Sequence, residues 1–514
     1  MSTHAAHSAP PLRLARTRLR TRTSTTVAVT IAALVATFGV TQVFLVENGA
    51  SGTIVGAGLV VLAVPLARGR RRAVIAAGVL VAASLVLDAD GRSLATASAI
   101  GLLVAMALAT PALRATGDPA TRRLIVPAAM LLAVGLGADL AHAGGALTHP
   151  LAVTLVLAAV FLSIRAVRPW RMSPSADAAD RSRATAIVSR SSADTLAPFA
   201  LRNDKRYHFT PEGTSFIAYR VVCGVALVSG DPIGEAGSFP GLVSDFVTTA
   251  ARRGWIVGVV GASAPCVALW RDVGLNAHYT GDEAIIDPEA FSLEGRAIRK
   301  VRQSVTRLER EGYRTDMLRT SQIGDGLAAE LSAIAQSWLG NHTETGYSMA
   351  FNGATVDRTR EDLYAIARAR DGRVRGFLHF GIVGASEGIS LSSMRRDRDT
   401  PNGLNEYLIS RTLAWARDHH VARVSLNFAA FALLLDPPAE LDPVSRFERR
   451  CLARFGERFQ LERLLSFSEK FSPTWTPRYA AYPGLTTLPR VALAAMLAEA
   501  YVTLPRPPWR REGP

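Results

Sequence analysis

Lysine is nearly absent from this chain. Lys205, Lys300 and Lys470 are its three lysines among 58 basic residues, and the rest are arginine. A lysine kept where arginine is the norm marks a place for a compact ammonium. Cysteine is as scarce: Cys223, Cys266 and Cys451 stand far apart, with no CxxC and no Cys/His ligand spacing. That pattern supports neither a disulfide framework nor a zinc site, so no metal is expected. Cys266 lies in an apolar stretch and reads as core. Acidic residues are in deficit, 43 against 58 basic ones, for a formal net charge of +15. Such a balance suits an anionic partner, nucleic acid or acidic lipid, and composition does not choose between them.

Long apolar runs fill the first third. Those near 26–46, 53–67, 73–88, 94–110, 124–144 and 150–167 read as six helices. Several are near the lower end of the roughly 17–25 residues that cross a bilayer. A basic arm, 1–25, carries Arg13, Arg16, Arg18, Arg20 and Arg22. Because further apolar runs follow the first, an anchored multi-span domain over 26–168 fits better than a removed signal peptide. Arginines recur in every second loop, at Arg68 to Arg72, at Arg114 to Arg123 and from Arg165 on. The loops near Glu47, Arg92 and His142 are almost bare. This alternation predicts that the N-terminus and everything after residue 170 lie in the cytoplasm of a cell-membrane protein. Asp139 and His142 end the fifth run, where the outer interface is a plainer account than a transport path.

Residues 169–194 are rich in Ser, Ala, Asp and Arg without apolar periodicity, which reads as a flexible linker. Mixed α/β patterning follows. Strands are expected at 214–222, 224–229, 255–261 and 284–286, with helices at 239–253 and 265–273. A second round has helices at 326–339 and 404–419 and strands at 374–382, 388–393 and 424–428. Two rounds of mixed sheet suggest two similar lobes, 195–315 and 316–486, before a C-terminal helix and tail at 487–514. Between the lobes, 294–312 reads as a helix. Ile298, Val301, Val305 and Leu308 recur at core-facing spacing, and Arg296, Arg299, Lys300, Arg302, Arg307 and Arg310 spread over the rest. Such a face is either simply solvated or a binder of phosphates.

Two stretches concentrate chemistry. Residues 390–409 read SLSSMRRDRDTPNGLNEYLI, a strand running into charge, a Pro-Asn-Gly turn and a helix start. A helix N-terminus favours anions. Residues 467–483 read FSEKFSPTWTPRYAAYP. Met394-Arg395, Pro401-x-Gly403 and Lys470-Phe471-x-Pro473-x-Trp475-x-x-Arg478-Tyr479 resemble the signature of the C-terminal synthase domain of the multiple peptide resistance factor family. Members of that family are aminoacyl-phosphatidylglycerol synthases. Tyr219-Arg220 with Gly230-Asp231-Pro232-Ile233-Gly234, and the basic helix within 291–313, continue the likeness over roughly 195–490.

The resemblance implies a multi-span α-helical membrane domain followed by an α/β domain of two acetyltransferase-like lobes. It implies transfer of an aminoacyl group from aminoacyl-tRNA to the hydroxyl of an anionic phospholipid, phosphatidylglycerol, at a membrane and without a cofactor. An activated ester asks mainly for positioning, charge stabilisation and a proton acceptor. Lys470, Glu406, Arg395 and Asp397 are the catalytic candidates. Arg396, Asn402, Asn427, Arg478, Trp475, Arg299 and Lys300 are the substrate-binding candidates. Asp231, before Pro232, reads as a turn-stabilising residue. Where many relatives carry Asp-Leu-Met-Arg, this chain has Ser392-Ser393-Met394-Arg395. That change leaves lysine, alanine and ornithine open as the transferred group. Two other readings stand beside this one. An acyl-CoA-dependent N-acyltransferase is weakened by the lack of a convincing (Arg/Gln)-x-x-Gly-x-(Gly/Ala) pyrophosphate turn. The other is a non-enzymatic membrane transporter or flippase.

Overall fold

The computed structural model describes residues 11–44, 49–87, 93–113, 115, 119–140, 148–167, 175–191, 194–340, 344, 346–384, 387–430 and 466–502. The chain divides into two compact units, residues 1–172 with 244–256, and residues 173–243 with 257–514.

In the first unit, α1 (Pro11–Phe44), α2 (Gly49–Ala67), α3 (Arg71–Leu87), α4 (Ser93–Ala109), α5 (Ile125–Leu140) and α6 (Thr148–Ala166) fall on the six apolar runs. Among the described residues two segments, Thr26–Phe44 and Ala50–Ala67, are long and apolar enough to cross a membrane, and the other apolar helical segments are shorter. The basic arm is helical from Pro11 onward, since α1 starts there. α1 and α2 approach closely through glycine: a Cβ on Gly39 would lie 2.7 Å from the Gly56 carbonyl oxygen, and one on Gly56 2.8 Å from that of Gly39. Small residues of this kind let apolar helices meet without a hydrophobic driving force. Val35, Leu59, Leu62, Leu80 and Val156 fill the centre, while Val29, Leu34, Val64, Leu108, Met130 and Phe161 point outward. His142, the side chain of Asp139, and Cys451 lie outside the described residues.

The remaining elements are α7 (Ala178–Arg190), β1 (Arg206–Phe209), β2 (Ser215–Val222), β3 (Val225–Ser229), β4 (Ile233–Gly234), α8 (Phe239–Arg253), β5 (Ile256–Ser263), α9 (Ala264–Asp272) and β6 (Asn276–Ile286). They continue with α10 (Arg299–Arg310), β7 (Arg314–Arg319), α11 (Asp325–Leu339), β8 (Asp362–Arg368), β9 (Val374–Val383), β10 (Gly388–Arg396), α12 (Leu404–Asp418), β11 (Arg423–Ala430), β12 (Thr474–Tyr482) and α13 (Leu488–Ala498). The strands form one sheet in the order β1-β2-β3-β5-β12-β6-β11-β10-β9-β8-β7, with β4 on β2. Two rounds of strands are therefore fused rather than separate. The last strand, β12, lies between β5 and β6, pairing Thr474 with Ile285 and Tyr482 with Asn276.

The linker expectation needs correction over half its length. α7 forms because Asp177 caps it, accepting from the Asp180 amide at 2.8 Å, and because Ala184, Ile187 and Val188 have a core to enter. β10 also runs further than expected: the charged residues Arg395 and Arg396 are strand residues, paired with Phe377 and Gly376.

Candidate active site

Strand alternation decides what meets what. On β8, Leu363, Ala365 and Ala367 join the core under α10 and α12, whereas Tyr364 and Ile366 join the core under α11. The sheet thus has an α11 face and an α12 face. Met394 pairs with Leu378 towards the α12 core, and Arg395 pairs with Phe377 towards the α11 side.

On the α11 face lies a cavity of about 370 Å³. Its polar lining includes Gln336, Glu344, His379, Ser392, Ser393 and Arg395. A register shift between Leu391 and Ser393 turns both serines towards it. Ser392 Oγ accepts the Phe351 amide at 3.0 Å. Arg395 reaches Glu344 at 2.8 Å, both side chains part-exposed. His379 Nε2 is 2.8 Å from Asp362, and the ring stacks on Tyr364 at 4.4 Å. Asp362 also takes Arg360 Nε at 2.7 Å, which fixes the carboxylate as an acceptor for the imidazole. Together these groups offer a carboxylate for an ammonium, a guanidinium for a carbonyl or phosphate oxygen, and an oriented imidazole for a proton. Glu344, His379 and Asp362 escaped the sequence reading. His379 and Asp362 are seventeen residues apart and become diagonal neighbours only through the pairing of β8 with β9.

Lys470 and Glu406 are brought together, Nζ to Oε1 at 2.8 Å, with Lys470 over the Phe467 ring at 5.1 Å. They lie on the α12 face, so the four catalytic candidates do not form one cluster. Alternation along β10 separates them. Asp397 is at a turn, paired with Arg375 at 3.3 Å, and Arg396 donates to Thr400 at 2.9 Å beside Trp338. Neither lines the cavity. The Asn402 carbonyl accepts from Arg307, next to Gly403 in the left-handed region at φ 91°. Arg299 and Lys300 are exposed on α10. Trp475 packs in the α12-side core, opposite Ala284 in register.

β10 and β11 are parallel neighbours only from Gly388–Arg423 to Ser390–Ser425. Beyond that, β10 stays with β9 and β11 stays with β6, so the two strands splay. Asn427, at φ 78°, spans the opening and donates to the Leu391 oxygen at 2.8 Å and to the Met349 oxygen.

The expectation that Arg478 binds substrate is corrected. The side chain is buried, and its guanidinium is saturated by Asp194, Glu283 and Thr195 at 2.9 Å, with Glu283 also accepting from Thr195 at 2.6 Å and from Ser425. Burial alone would favour loss of its proton, but the two carboxylates outweigh that and hold it more firmly protonated than usual. The Asp194 carboxyl is held below its ordinary value: burial works against the charge, and Arg478 overcomes it. Beside them Asp231, whose carboxylate accepts the Ser263 amide at 2.9 Å, is pushed up to about 6 by burial and by Asp194. Half-buried Cys266 is pushed up to about 12 by burial and then by Asp231.

Comparison with known proteins gives concordant matches. The family model described as phosphatidylglycerol lysyltransferase, C-terminal, matches residues 185–482. The lysylphosphatidylglycerol biosynthesis bifunctional protein LysX of Mycolicibacterium gilvum is 37% identical over 314 residues, covering 61% of this chain and 28% of that protein. LysX of Mycobacterium avium is 38% identical over 314 residues, again 61% of this chain but 27% of that one. The chain therefore spans less than a third of the length of these curated relatives. L-PGS from Bacillus licheniformis shares the fold at TM-score 0.56 and 22% identity, covering 64% of this chain and 98% of that one. A solved C-terminal domain from Agrobacterium fabrum gives TM-score 0.56 at 26% identity, over 64% and 99%. With more than half of its residues inside the family model, this chain belongs to the phosphatidylglycerol lysyltransferase C-terminal family.

Proposed function

We propose that this chain transfers an aminoacyl group from aminoacyl-tRNA to a hydroxyl of phosphatidylglycerol. The observation that carries the reading is the family match across 185–482, which contains the whole cavity. The names of the mycobacterial relatives point to a lysyl group. The first unit is read as a multi-pass anchor with the sheet unit on the cytoplasmic side. Support comes from its two membrane-length apolar segments and from the alternation of arginines between loops.

The lipid hydroxyl oxygen attacks the ester carbonyl carbon, a new ester bond forms, and the bond to the ribose oxygen breaks. The hydroxyl proton ends on the ribose, so atoms balance without a cofactor. Glu344 receives the ammonium of the aminoacyl group. Arg395 meets the carbonyl oxygen as charge develops on it. His379, oriented by Asp362, takes the hydroxyl proton and returns it to the leaving ribose. Lys470 and Glu406 hold the ribose-phosphate end of the donor on the α12 face. The splayed β10–β11 opening at Asn427 is the passage between faces, as in an acetyltransferase-like lobe. Asp397, Arg396 and Asn402 shape the turn before α12, and Trp475 and Arg478 support β12.

Lipid mass spectrometry of cells expressing the full chain tests this, beside Arg395→Ala and Lys470→Ala. An aminoacylated phosphatidylglycerol seen only with the intact chain is the expected result, and its mass names the amino acid. No new lipid from a membrane-inserted, folded protein would sink the proposal in favour of a transporter or scaffold.

A further inference from the structure

We infer that Glu499, at the end of α13, is a positioning residue for the candidate active site: it clamps residues 346–348 and through them holds Glu344 opposite Arg395. The inference rests on the aminoacyl-transfer reading above and adds what keeps the ammonium-binding acid in place. Glu499 lies beyond 185–482, the span of the family match. Residues 346–356 are neither helix nor strand, yet Gly346, Tyr347, Ser348, Ala350 and Phe351 are buried. Buried backbone outside a ladder needs polar partners from elsewhere. Glu499 supplies three in a row. Its carbonyl, one of the orphan acceptors at the end of α13, takes the Gly346 amide at 3.1 Å. Its carboxylate accepts the Tyr347 amide, the Ser348 amide at 3.2 Å and the Ser348 hydroxyl at 2.8 Å. The side chain is itself buried. Gly346 is two residues after Glu344, so the clamp sits beside the acid.

Other groups hold the rest of the segment. Arg202 donates to the Gly346 carbonyl and to the Ala350 carbonyl, the latter at 2.8 Å, and the Asn203 amide donates to Asn352 Oδ1 at 3.0 Å. The Tyr347 hydroxyl donates to the Leu227 carbonyl at 2.6 Å. The chain turns tightly at Gly346, φ 109°, where a Cβ would lie 2.7 Å from that of Ala350. These contacts fix where the segment crosses the sheet, while the amides nearest Glu344 rest on Glu499. α13 packs on β2 and β3, so the helix acts as a strut from that end of the sheet to the cavity wall. Without the carboxylate, two buried amides and a hydroxyl lose their acceptor. Leaving them unpaired is costly, so 346–348 shifts to recover partners. Glu344 moves with it, and its 2.8 Å contact with Arg395 opens.

The test uses the full chain in detergent and reads both hydrogen exchange and transfer from lysyl-tRNA to phosphatidylglycerol in mixed micelles. Glu499→Ala should speed amide exchange in 346–350 about tenfold. It should raise the KM for lysyl-tRNA roughly 30-fold, within the about 100-fold that a misplacement of about 1 Å can cost. The kcat and the KM for phosphatidylglycerol should change by less than about twofold, the signature of lost ground-state binding of the donor. In a Glu344→Ala background the same substitution should cost no more than about twofold, because two residues that act through one contact are not additive. Val491 packs α13 against β5, where a Cβ on Gly258 would lie 2.6 Å from its Cγ1. Val491→Ala should therefore lower the melting temperature and leave both KM values unchanged. Where Glu499→Ala does not fold, Glu499→Gln keeps one acceptor oxygen and is read in the same way, with a smaller rise in KM. Unchanged exchange in 346–350, a loss in kcat alone, an equal rise in KM from Val491→Ala, or an undiminished loss in the Glu344→Ala background would each overturn the clamp. A wild type that makes no product, with exchange in 346–350 still raised by Glu499→Ala, defeats the transferase reading and not the clamp.

Discussion

Arg478 and Arg395 are the same side chain beside carboxylates in the same sheet, and they have opposite surroundings. Arg478 is sealed, 1% exposed, with every reachable acceptor on Asp194, Glu283 and Thr195 already used. Arg395 meets Glu344, itself 34% exposed, at 2.8 Å and the carbonyl of its neighbour Met394 at 3.4 Å, and faces a cavity of about 370 Å³ with donors to spare. A saturated guanidinium has nothing left to give a substrate. One with spare donors at the wall of a cavity does. The sequence offers both arginines as site candidates, Arg395 as catalytic and Arg478 as substrate-binding, and the count of free donors separates them.

The sharpest way to break the comparison is to remove each arginine in turn. Arg478→Ala leaves Asp194 and Glu283 buried without a counter-charge, a loss on the order of 3–5 kcal/mol. That is a large part of a typical folding free energy of about 5–15 kcal/mol. The melting temperature of the purified chain should fall steeply, and Arg478→Lys should not rescue it, because an ammonium lacks the planar fork that spans two carboxylates. Arg395→Ala should do the reverse: a nearly unchanged melt, with aminoacyl transfer reduced about 100-fold, in the range for losing one oxyanion donor. A destabilised Arg395→Ala, or an active and stable Arg478→Ala, would invert the assignment.

Lys470 sharpens the division between the two faces. If it holds the donor on the α12 face, Lys470→Ala should raise the KM for aminoacyl-tRNA about tenfold and change kcat less, the signature of lost ground-state binding. A fall in kcat as large as that of Arg395→Ala would mean that one site, not two, does the work. A smaller change, Ser392→Asp, adds an acid to the cavity wall that carries Arg395. It should shift the product ratio towards the amino acid with the longer cationic side chain, read by competition between two aminoacyl-tRNAs.

The apolar patterning made much of this architecture legible. The six helices of the first unit, β2, β3, α11, α12 and the buried stripe of α10 all stand where periodicity puts them. The scarcity of lysine was a mixed guide. Lys470 meets Glu406 and Lys300 is exposed, but Lys205 is fully buried, donating to the Phe199 carbonyl at 2.8 Å and to Ser229 at 2.6 Å beneath the Tyr347 ring. What escaped the sequence depends on strand order. The placement of β12 between β5 and β6 brings Arg478 to Glu283 across 195 residues, and the β8–β9 register brings His379 to Asp362. Neither pairing leaves a local signal. The cavity acid, Glu344, lies in a segment without periodicity.

The same buried cluster carries the smallest and most specific expectation. Asp231 titrates in the folded protein at about 6, raised first by burial and then by Asp194, against an ordinary value near 3.8. Between those two values the folded state binds a proton that the unfolded chain has released. Its contribution is therefore fully favourable below about pH 4 and is lost as pH rises through about 6. Asp194 works the other way. Its lowered value makes its contribution present above the ordinary carboxylate range and lost as the solution turns acid. Asp231→Asn keeps an oxygen to accept the Ser263 amide but removes the charge. It should stabilise the fold by about 2 kcal/mol at pH 8 and by nearly nothing at pH 4. Melting curves of the two proteins across that range provide the check. A shift of equal size at both ends would mean that Asp231 is ionised in the folded state throughout, and that Arg478 neutralises three carboxylates rather than two.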